Sequence, residues 1–220
     1  MEKIEDLLIN NLKIVQDDEL YCFTSDAILL SRFATVKKND VVADFCAGSG
    51  VVGIHLLGEN GAIKSLTLFE MQTPLYELSK KTIALNRLDD KVKAVNTRIQ
   101  DIGANYNGAF SLIVCNPPYM ESGRGENNLK REIAVCRTEI TVSLSEICLS
   151  ASKALKFGGR FAIVNRADRL CDVIDCMRKN NIEPKRLAFV KGGKKEPYLL
   201  LIEGVKGGKK GIKVYSDIEN

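Results

Sequence analysis

The stretch Val41-Val42-Ala43-Asp44-Phe45-Cys46-Ala47-Gly48-Ser49-Gly50-Val51-Val52-Gly53 decides the fold of this 220-residue chain. It joins an apolar run typical of a buried strand to a G-x-G-x-x-G turn, and a helix is predicted over residues 50–57. A strand, a glycine turn and a helix in this order begin many parallel α/β sheets, and such a turn lets a ligand approach the backbone closely. The sequence therefore predicts an α/β fold with a ligand site at the end of its first strand.

Apolar runs and helix-like stretches alternate along the rest of the chain, as expected for a mostly parallel sheet with helices on both faces. Further strands are predicted at 65–70, 92–96, 110–115 and 160–165, and helices at 73–87, 137–155 and 168–180. Residues 187–190 and 198–202 are joined by a short loop, which predicts an antiparallel hairpin at the end of the sheet. We expect one domain over residues 1–220, built on a seven-stranded sheet.

The composition, 45% hydrophobic and 27% charged, suits a globular enzyme domain. No apolar run approaches the roughly 18 residues of a membrane span, and the N-terminus lacks the pattern of a signal peptide. We therefore expect a cytoplasmic protein with no membrane partner. The seven cysteines form no CxxC pair and are expected to be reduced, buried thiols, and the single His55 argues against a metal site.

Positive charge is concentrated near the C-terminus. Residues 185–213 contain nine basic and two acidic side chains, whereas the whole chain has a net charge of +4. A basic hairpin and tail suit a polyanionic partner, because lysine and arginine contacts to phosphate supply most sequence-independent affinity for nucleic acids. A solvated lysine-rich surface explains the same charges equally well.

Two carboxylates indicate which kind of ligand the glycine turn binds. Glu70 ends the second predicted strand, twenty residues after Gly50, where an acidic side chain can accept from ribose hydroxyls. Asp44 stands directly before the turn, where it would repel a pyrophosphate but can pair with the ammonium of a methionine moiety. This favours S-adenosylmethionine over a dinucleotide, while a glycine turn without any ligand remains an alternative.

Other candidate cofactor contacts lie on separate segments. Asp101 is placed to accept from an adenine amino group and Ile102 to cover the ring, although a solvated aspartate is the alternative. Residues 23–26 precede a predicted helix and can lie over the methionine end, with a simple N-cap as the alternative; the whole extension 1–35 is expected over this site. The predicted cofactor contacts are Phe23, Thr24, Asp26, Asp44, Cys46, Gly48, Gly50, Glu70, Met71, Asp101, Ile102 and Asn116.

The motif Asn116-Pro117-Pro118-Tyr119 directly follows the fourth predicted strand and is the most specific signal in the sequence. An exocyclic amine on a base is a poor nucleophile, because its lone pair is delocalised into the ring. The Asn116 side-chain oxygen and the Pro117 carbonyl can each accept one N–H, which favours a pyramidal nitrogen. Prolines hold these acceptors rigid and Tyr119 can stack on the base. The motif predicts methyl transfer to such a nitrogen, with Asn116, Pro117 and Tyr119 as catalytic residues.

In these motifs the sequence resembles the class I amino-methyltransferases, most closely the tRNA (adenine-N6)-methyltransferase family that modifies the adenosine next to the anticodon of a valine tRNA. The resemblance rests on residues 24–30, 44–50, 116–119, 137–139, 158–160 and 166–170. It implies a monomeric Rossmann-like enzyme that uses S-adenosylmethionine and binds tRNA, with Asn116 and Tyr119 in the base pocket. Family members usually carry Leu or Gly where Phe45 and Cys46 stand.

Substrate contacts are predicted beyond the motif and in the basic hairpin. Basic residues in and after the loop that follows the motif can hold RNA phosphates while this loop closes over a flipped-out adenosine, although ordinary surface charges are the alternative. The predicted substrate-binding residues are Pro118, Tyr119, Arg124, Lys130, Arg131, Lys194 and Lys195.

Other functions explain parts of the sequence. Release-factor glutamine methyltransferases share N-P-P-Y, but they normally carry an N-terminal helical substrate domain for which 35 residues are too few. Ribosomal-RNA guanine methyltransferases have N-P-P-F, where this chain has Tyr119. A non-catalytic RNA-binding module accounts for the basic end and a dehydrogenase for the glycine turn, but neither accounts for Asp44, Glu70 and Asn116 together.

Overall fold

A computed structural model describes residues 1–20, 24–118, 142–193 and 195–220. The described helices are α1 (Ser25–Phe33), α2 (Val51–Glu59), α3 (Thr73–Leu85), α4 (Leu144–Ala154) and α5 (Leu170–Lys179). The described strands are β1 (Glu2–Asp6), β2 (Lys13–Asp17), β3 (Val41–Phe45), β4 (Ser65–Glu70), β5 (Val92–Asn96), β6 (Phe110–Cys115), β7 (Leu155–Arg166), β8 (Ile182–Lys191), β9 (Leu199–Lys206), β10 (Lys213–Val214) and β11 (Ile218–Glu219).

One large sheet contains the long strands in the order β8-β9-β7-β6-β3-β4-β5. The strands from β3 to β7 pair in parallel, whereas β9 is antiparallel to both β7 and β8. The predicted α/β fold and the predicted antiparallel hairpin are therefore confirmed. Two short strands that the sequence did not predict, β10 and β11, extend the sheet by pairing in parallel with β8.

Helices cover both faces of the sheet. Along β3 and β6, Val42 and Leu112 pack against α1 and α2, whereas Ala43 and Ile113 pack against α4 and α5. Every residue of β6 is buried, as expected for a central parallel strand. Because β3 to β7 run in parallel, they all end at one edge, which we call the carboxyl edge, and all begin at the opposite amino edge. The following loops are thereby collected at the carboxyl edge.

The N-terminal segment differs most from the prediction. It contains a β-hairpin ahead of α1, in which Ile4 pairs with Val15. This hairpin is held to α3, because the Val15 amide donates to Thr82 Oγ1 at 3.0 Å and the Lys13 amide to Asn86 Oδ1 at 2.8 Å. The predicted first strand is therefore the third strand of the chain.

Three predicted boundaries also move. The helix predicted over 137–155 has its described start at Leu144, because Ser143 is extended and accepts from the Glu146 amide in a capping box. Residues 137–139 lie outside the described part of the chain. The fifth predicted strand begins earlier, at Leu155, and continues through Gly158 and Gly159. The N-cap of α3 is Gln72 rather than Thr73.

Histidine and cysteine side chains serve packing in this fold. His55 on α2 is 1% exposed, and its Nδ1 lies 2.7 Å from Oγ of Ser31 on α1. Burial lowers the pKa of this histidine and raises the pKa of Cys148 to about 12. Cys171 is exposed, contrary to the expectation of buried thiols. No described helix is long and apolar enough to cross a membrane.

Candidate active site

The turn after β3 bends sharply by placing three residues in the left-handed region, Cys46 at φ 58°, Gly48 at φ 56° and Gly50 at φ 97°. A Cβ on Gly50 would lie 2.8 Å from Leu68 Cδ1, so glycine is required there by both conformation and packing. A Cβ on Gly48 would meet no atom within 4 Å, so open space lies over this part of the turn. Cys46 is strained in this conformation, by about 1–2 kcal/mol.

Asp44 lies at the carboxyl end of β3 and is fully buried. Its Oδ2 accepts from the Gly53 amide at 2.8 Å, but its Oδ1 has no hydrogen-bond partner among the residues that the structure describes. Burial, with a smaller contribution from the charge of Glu70, raises the pKa of Asp44 to about 7. A buried carboxylate oxygen without a donor is costly, and a cationic ligand group would satisfy it.

Glu70 ends β4 and is also buried. Its Oε2 accepts from the Gly48 amide at 2.9 Å and its Oε1 from the Gln72 amide at 2.8 Å. Burial raises the pKa of this carboxyl as well. Asn96 on β5 fixes the following backbone by donating to the carbonyls of Glu70 and Met71. Each carboxylate oxygen can accept a second hydrogen bond, so Glu70 is held in place and can still bind hydroxyl groups.

Gln16 on β2 is a site residue that sequence reasoning missed. It is 1% exposed, and its Nε2 donates to Ser49 Oγ in the glycine turn at 3.4 Å. Within the described residues its Oε1 is buried without a partner. The hairpin thereby brings a second unsatisfied acceptor to the turn that follows Asp44. The only local signal in the sequence was a polar residue at the end of the apolar run Ile14-Val15.

The predicted catalytic motif follows β6 in the middle of the sheet. The pairing of Phe45 with Cys115 places Asn116 beside the start of the glycine turn. Asn116 is half-buried, Pro117 is buried and Pro118 is exposed. The predicted site residues outside the described ranges are Phe23, Tyr119, Arg124, Lys130, Arg131 and Lys194.

The remaining predicted cofactor residues lie at the same edge with weaker local evidence. Asp101 follows β5; its side chain is 66% exposed and lies 3.9 Å from Arg98 Nε. Ile102 is half-buried against the core. Thr24 holds the N-cap position of α1 without a side-chain capping bond, whereas burial raises the pKa of Asp26.

The basic segment 185–213 is divided between the two edges of the sheet. Lys195 is exposed in the β8–β9 loop, which lies at the carboxyl edge because the Ala167 amide donates to the Tyr198 carbonyl at 3.0 Å. Lys206 lies at the other end of β9 and donates to the carbonyls of Ser152 and Leu155. Arg186 has an internal role, since its Nη1 donates to the Phe33 carbonyl at 2.9 Å and lies 3.5 Å from buried Glu203.

Comparison with known proteins agrees with this geometry. A crystal structure of a predicted O-methyltransferase from Agrobacterium tumefaciens matches with a TM-score of 0.69 and 15% identity, over 88% of this chain and 86% of that one. The fold is that of the class I, S-adenosylmethionine-dependent methyltransferases. More narrowly, the profile of the Methyltransferase small domain family matches residues 24–180, and the chain belongs to that family.

Two curated relatives are named tRNA1(Val) (adenine(37)-N6)-methyltransferase. The relative from Parabacteroides distasonis is 26% identical over 166 residues, which are 76% of this chain and 68% of the relative. The relative from Shewanella putrefaciens is 26% identical over 152 residues, which are 67% of this chain and 62% of the relative. The match to the second therefore spans less than two thirds of its length.

Proposed function

We propose that this protein transfers a methyl group from S-adenosylmethionine to the N6 amino group of an adenine in tRNA. The observation that carries the proposal is the Asn116-Pro117 end of buried β6, which lies beside the glycine turn of β3 at one edge of the sheet. The names and the similarity of the two curated relatives favour tRNA adenine as the acceptor.

The described side chains fit the cofactor. Asp44 Oδ1 and Gln16 Oε1 would hold the methionine ammonium, since they are the two buried side-chain acceptors that have no partner among the described residues. Glu70 accepts from the ribose hydroxyls while the Gly48 and Gln72 amides hold it. The open space over Gly48 admits the ligand, and Asp101 and Ile102 serve the adenine end. When bound, S-adenosylmethionine supplies an electrophilic methyl group carried on a sulfonium.

Asn116 and Pro117 prepare the acceptor nitrogen. The Asn116 side-chain oxygen accepts one N–H of the adenine amino group and the Pro117 carbonyl accepts the other. This arrangement keeps the nitrogen lone pair out of conjugation with the ring and fixes its direction. Pro117 is buried, its ring fixes its φ and the following Pro118 restricts its ψ, so its carbonyl is held rigidly. The extra proton leaves to water after transfer, and no dedicated base is required.

RNA recognition in this proposal begins around the motif. Exposed Pro118 and the predicted stack of Tyr119 hold the flipped-out base. Lys195 lies exposed at the same edge as Asn116 and is available to a phosphate. Contacts by Arg124, Lys130, Arg131 and Lys194 remain predictions from the sequence.

The test is to incubate the protein with methyl-labelled S-adenosylmethionine and tRNA that lacks its natural modifications, and to identify labelled nucleosides by mass spectrometry. We expect the label in N6-methyladenosine. Release factors and ribosomal RNA serve as parallel acceptors. Label in either of these, or in another tRNA nucleoside, with none in tRNA adenosine, would overturn the proposed substrate.

A further inference from the structure

A six-residue sequence occurs twice around the C-terminal hairpin. Residues 190–195 and residues 205–210 both read Val-Lys-Gly-Gly-Lys-Lys. Each copy begins with the last two residues of a strand, β8 for the first and β9 for the second. Because β8 and β9 are antiparallel, the first copy starts at the carboxyl edge and the second at the amino edge. The eight residues of β9 separate the two copies by about 25 Å. The second copy therefore lies away from the proposed methyl-transfer site.

Around the second copy, five lysines and one phenylalanine form what we call the amino-edge patch: Lys153, Lys156, Phe157, Lys185, Lys209 and Lys210. Lys185 Nζ donates to the Lys209 carbonyl at 2.9 Å, which joins β8 to the segment after β9. The Phe157 ring lies against Gly207, where an added Cβ would overlap the ring. Lys153 and Lys156 lie on either side of Leu155, the first residue of β7. The Leu155 carbonyl accepts from Lys206, which belongs to the second copy.

The charge of this patch is uncompensated. Across residues 1–20, 24–118, 142–193 and 195–220, none of its five lysines forms a salt bridge, whereas Lys80 pairs with Glu77 and Lys179 with Asp175. Glu183, the acidic residue of nearby β8, is 12% exposed and paired with Arg178 at 2.9 Å. Uncompensated lysines close together attract a polyanion and displace its counterions on binding.

Phe157 specifies the kind of polyanion. The residue is 79% exposed, so packing in the core does not explain an aromatic residue there. The residue opposite it is Gly207 at φ 68°, and any side chain at that position would displace the ring. An exposed ring among lysines is the usual arrangement of single-strand nucleic-acid surfaces, where a base stacks on the ring and the lysines hold phosphates. A membrane surface would require a broader apolar face.

We propose that the amino-edge patch binds RNA as a second contact, with an unpaired base on Phe157 and phosphates on the surrounding lysines. The contact lies about 25 Å from the carboxyl edge, measured along β9 and the paired residues Arg160–Arg166 of β7. This inference rests on the proposed function, because it takes the bound RNA to be the tRNA that is methylated. A full-length tRNA can extend from one edge to the other, whereas a short stem-loop that holds only the target adenosine contacts the carboxyl edge alone.

The experiment compares two patch variants, Lys209→Glu/Lys210→Glu and Phe157→Ala, with the control Lys64→Glu/Lys91→Glu. Lys64 and Lys91 are exposed at the same edge, before β4 and β5, about 14–19 Å from β7. Fluorescence anisotropy measures binding of unmodified full-length tRNA and of the short stem-loop at several salt concentrations. Binding of S-adenosylhomocysteine checks that each variant is folded.

For full-length tRNA we expect the Kd to rise about tenfold in the double lysine variant, with a salt dependence reduced by one to two phosphate contacts. We expect a rise of at least about fivefold for Phe157→Ala. The control should bind like the wild type, and all four proteins should bind the stem-loop and S-adenosylhomocysteine equally.

Equal tRNA binding by patch variants and control would overturn the inference. A second contradicting result comes from vesicles that contain anionic phospholipid. If the patch variants lost binding to these vesicles but bound tRNA like the wild type, the patch would be a membrane contact. Patch-dependent tRNA binding by a protein that methylates no tRNA nucleoside would support the patch and reject the proposed function.

Discussion

Two buried aspartates at opposite ends of β3 differ in how their charges are satisfied. Asp40, at the amino edge, accepts from Arg160 Nη2 on both carboxylate oxygens at 2.6 Å, from Ser111 Oγ at 2.7 Å and from the Lys37 amide at 2.6 Å. Asp44, four residues later at the carboxyl edge, accepts from one backbone amide, and its Oδ1 has no described partner.

This difference separates structure from binding. The Asp40 carboxylate is complete within the protein, because a buried arginine and two further donors surround it. The Asp44 carboxylate is incomplete, and Gln16 Oε1 near the adjoining turn is incomplete too. Arg160 Nε and Nη1 also lack a described partner, but they belong to a cation whose charge Asp40 balances. The unsatisfied atoms beside the glycine turn are acceptors, which a cationic ligand group can satisfy. We infer that the amino end of β3 stabilises the fold, whereas its carboxyl end is arranged for a ligand.

The largest expected effect is on stability and concerns Asp40 and Arg160 at the amino edge. Arg160→Met leaves the Asp40 carboxylate buried without its cation, and the free energy of unfolding should fall by about 3–5 kcal/mol. Urea denaturation measures the loss. The double variant Asp40→Asn/Arg160→Met is the control and should recover much of the stability, because it removes the stranded charge. Wild-type stability of Arg160→Met would contradict a structural role for this pair.

The next effect concerns Asn116, the proposed acceptor of the adenine amino group. Asn116→Ala removes one acceptor for the adenine amino group, and methylation should slow roughly 10²–10³-fold, as when one polar group of a pre-organised site is lost. Calorimetry should show S-adenosylmethionine affinity close to that of the wild type. Asn116→Asp keeps an acceptor oxygen and should retain measurable activity. Equal loss of binding and methylation in Asn116→Ala would refute the assigned role.

A smaller effect, on cofactor affinity, is expected at Gln16. Gln16→Leu removes a proposed acceptor of the methionine ammonium, and the Kd for S-adenosylmethionine should rise roughly two- to tenfold. The stability of the free protein should stay equal or increase, because an unsatisfied buried oxygen is removed. Val15→Ala on the same strand is the control, which should lower stability and leave the affinity unchanged. A destabilised Gln16→Leu variant with normal affinity would reduce Gln16 to a packing residue.

Local patterns explain what the sequence predicted. The sequence predicted those parts whose signal is one unbroken stretch of chain: the apolar run 110–115, the glycine turn and the N-P-P-Y motif. Burial or restricted dihedral angles favour one local conformation in such a stretch. Parallel strands then bring Asp44, Glu70 and Asn116 to one edge, because strands that run in parallel end together. The fold class and the centre of the candidate site were accessible for that reason.

Long-range contacts explain what the sequence did not predict. Strand β1 is short, charged and only half-buried, and its hairpin depends on bonds to α3, more than sixty residues away. Gln16 belongs to the site only through that hairpin. The continuous basic segment 185–213 is divided because β9 carries its second half to the opposite edge, which charge counting along a chain cannot detect.

The most direct test of the account concerns Asp44. Its pKa is raised from 3.8 to about 7 by burial, so the stability associated with the protonated carboxyl is fully present below about pH 4 and lost as the pH rises through 7. At pH 8 the free wild type carries a buried charge that only the Gly53 amide contacts among the described residues, and Asp44→Asn should therefore be the more stable protein.

The decisive measurement is thermal unfolding of the wild type and Asp44→Asn at pH 8, with and without S-adenosylmethionine. Bound ligand stabilises a protein according to its affinity. We predict that the variant is more stable alone but gains less from the cofactor, by an amount that corresponds to about a tenfold weaker Kd or more. An equal gain in both proteins would contradict the assignment of the carboxyl edge of β3 as the methyl-donor site.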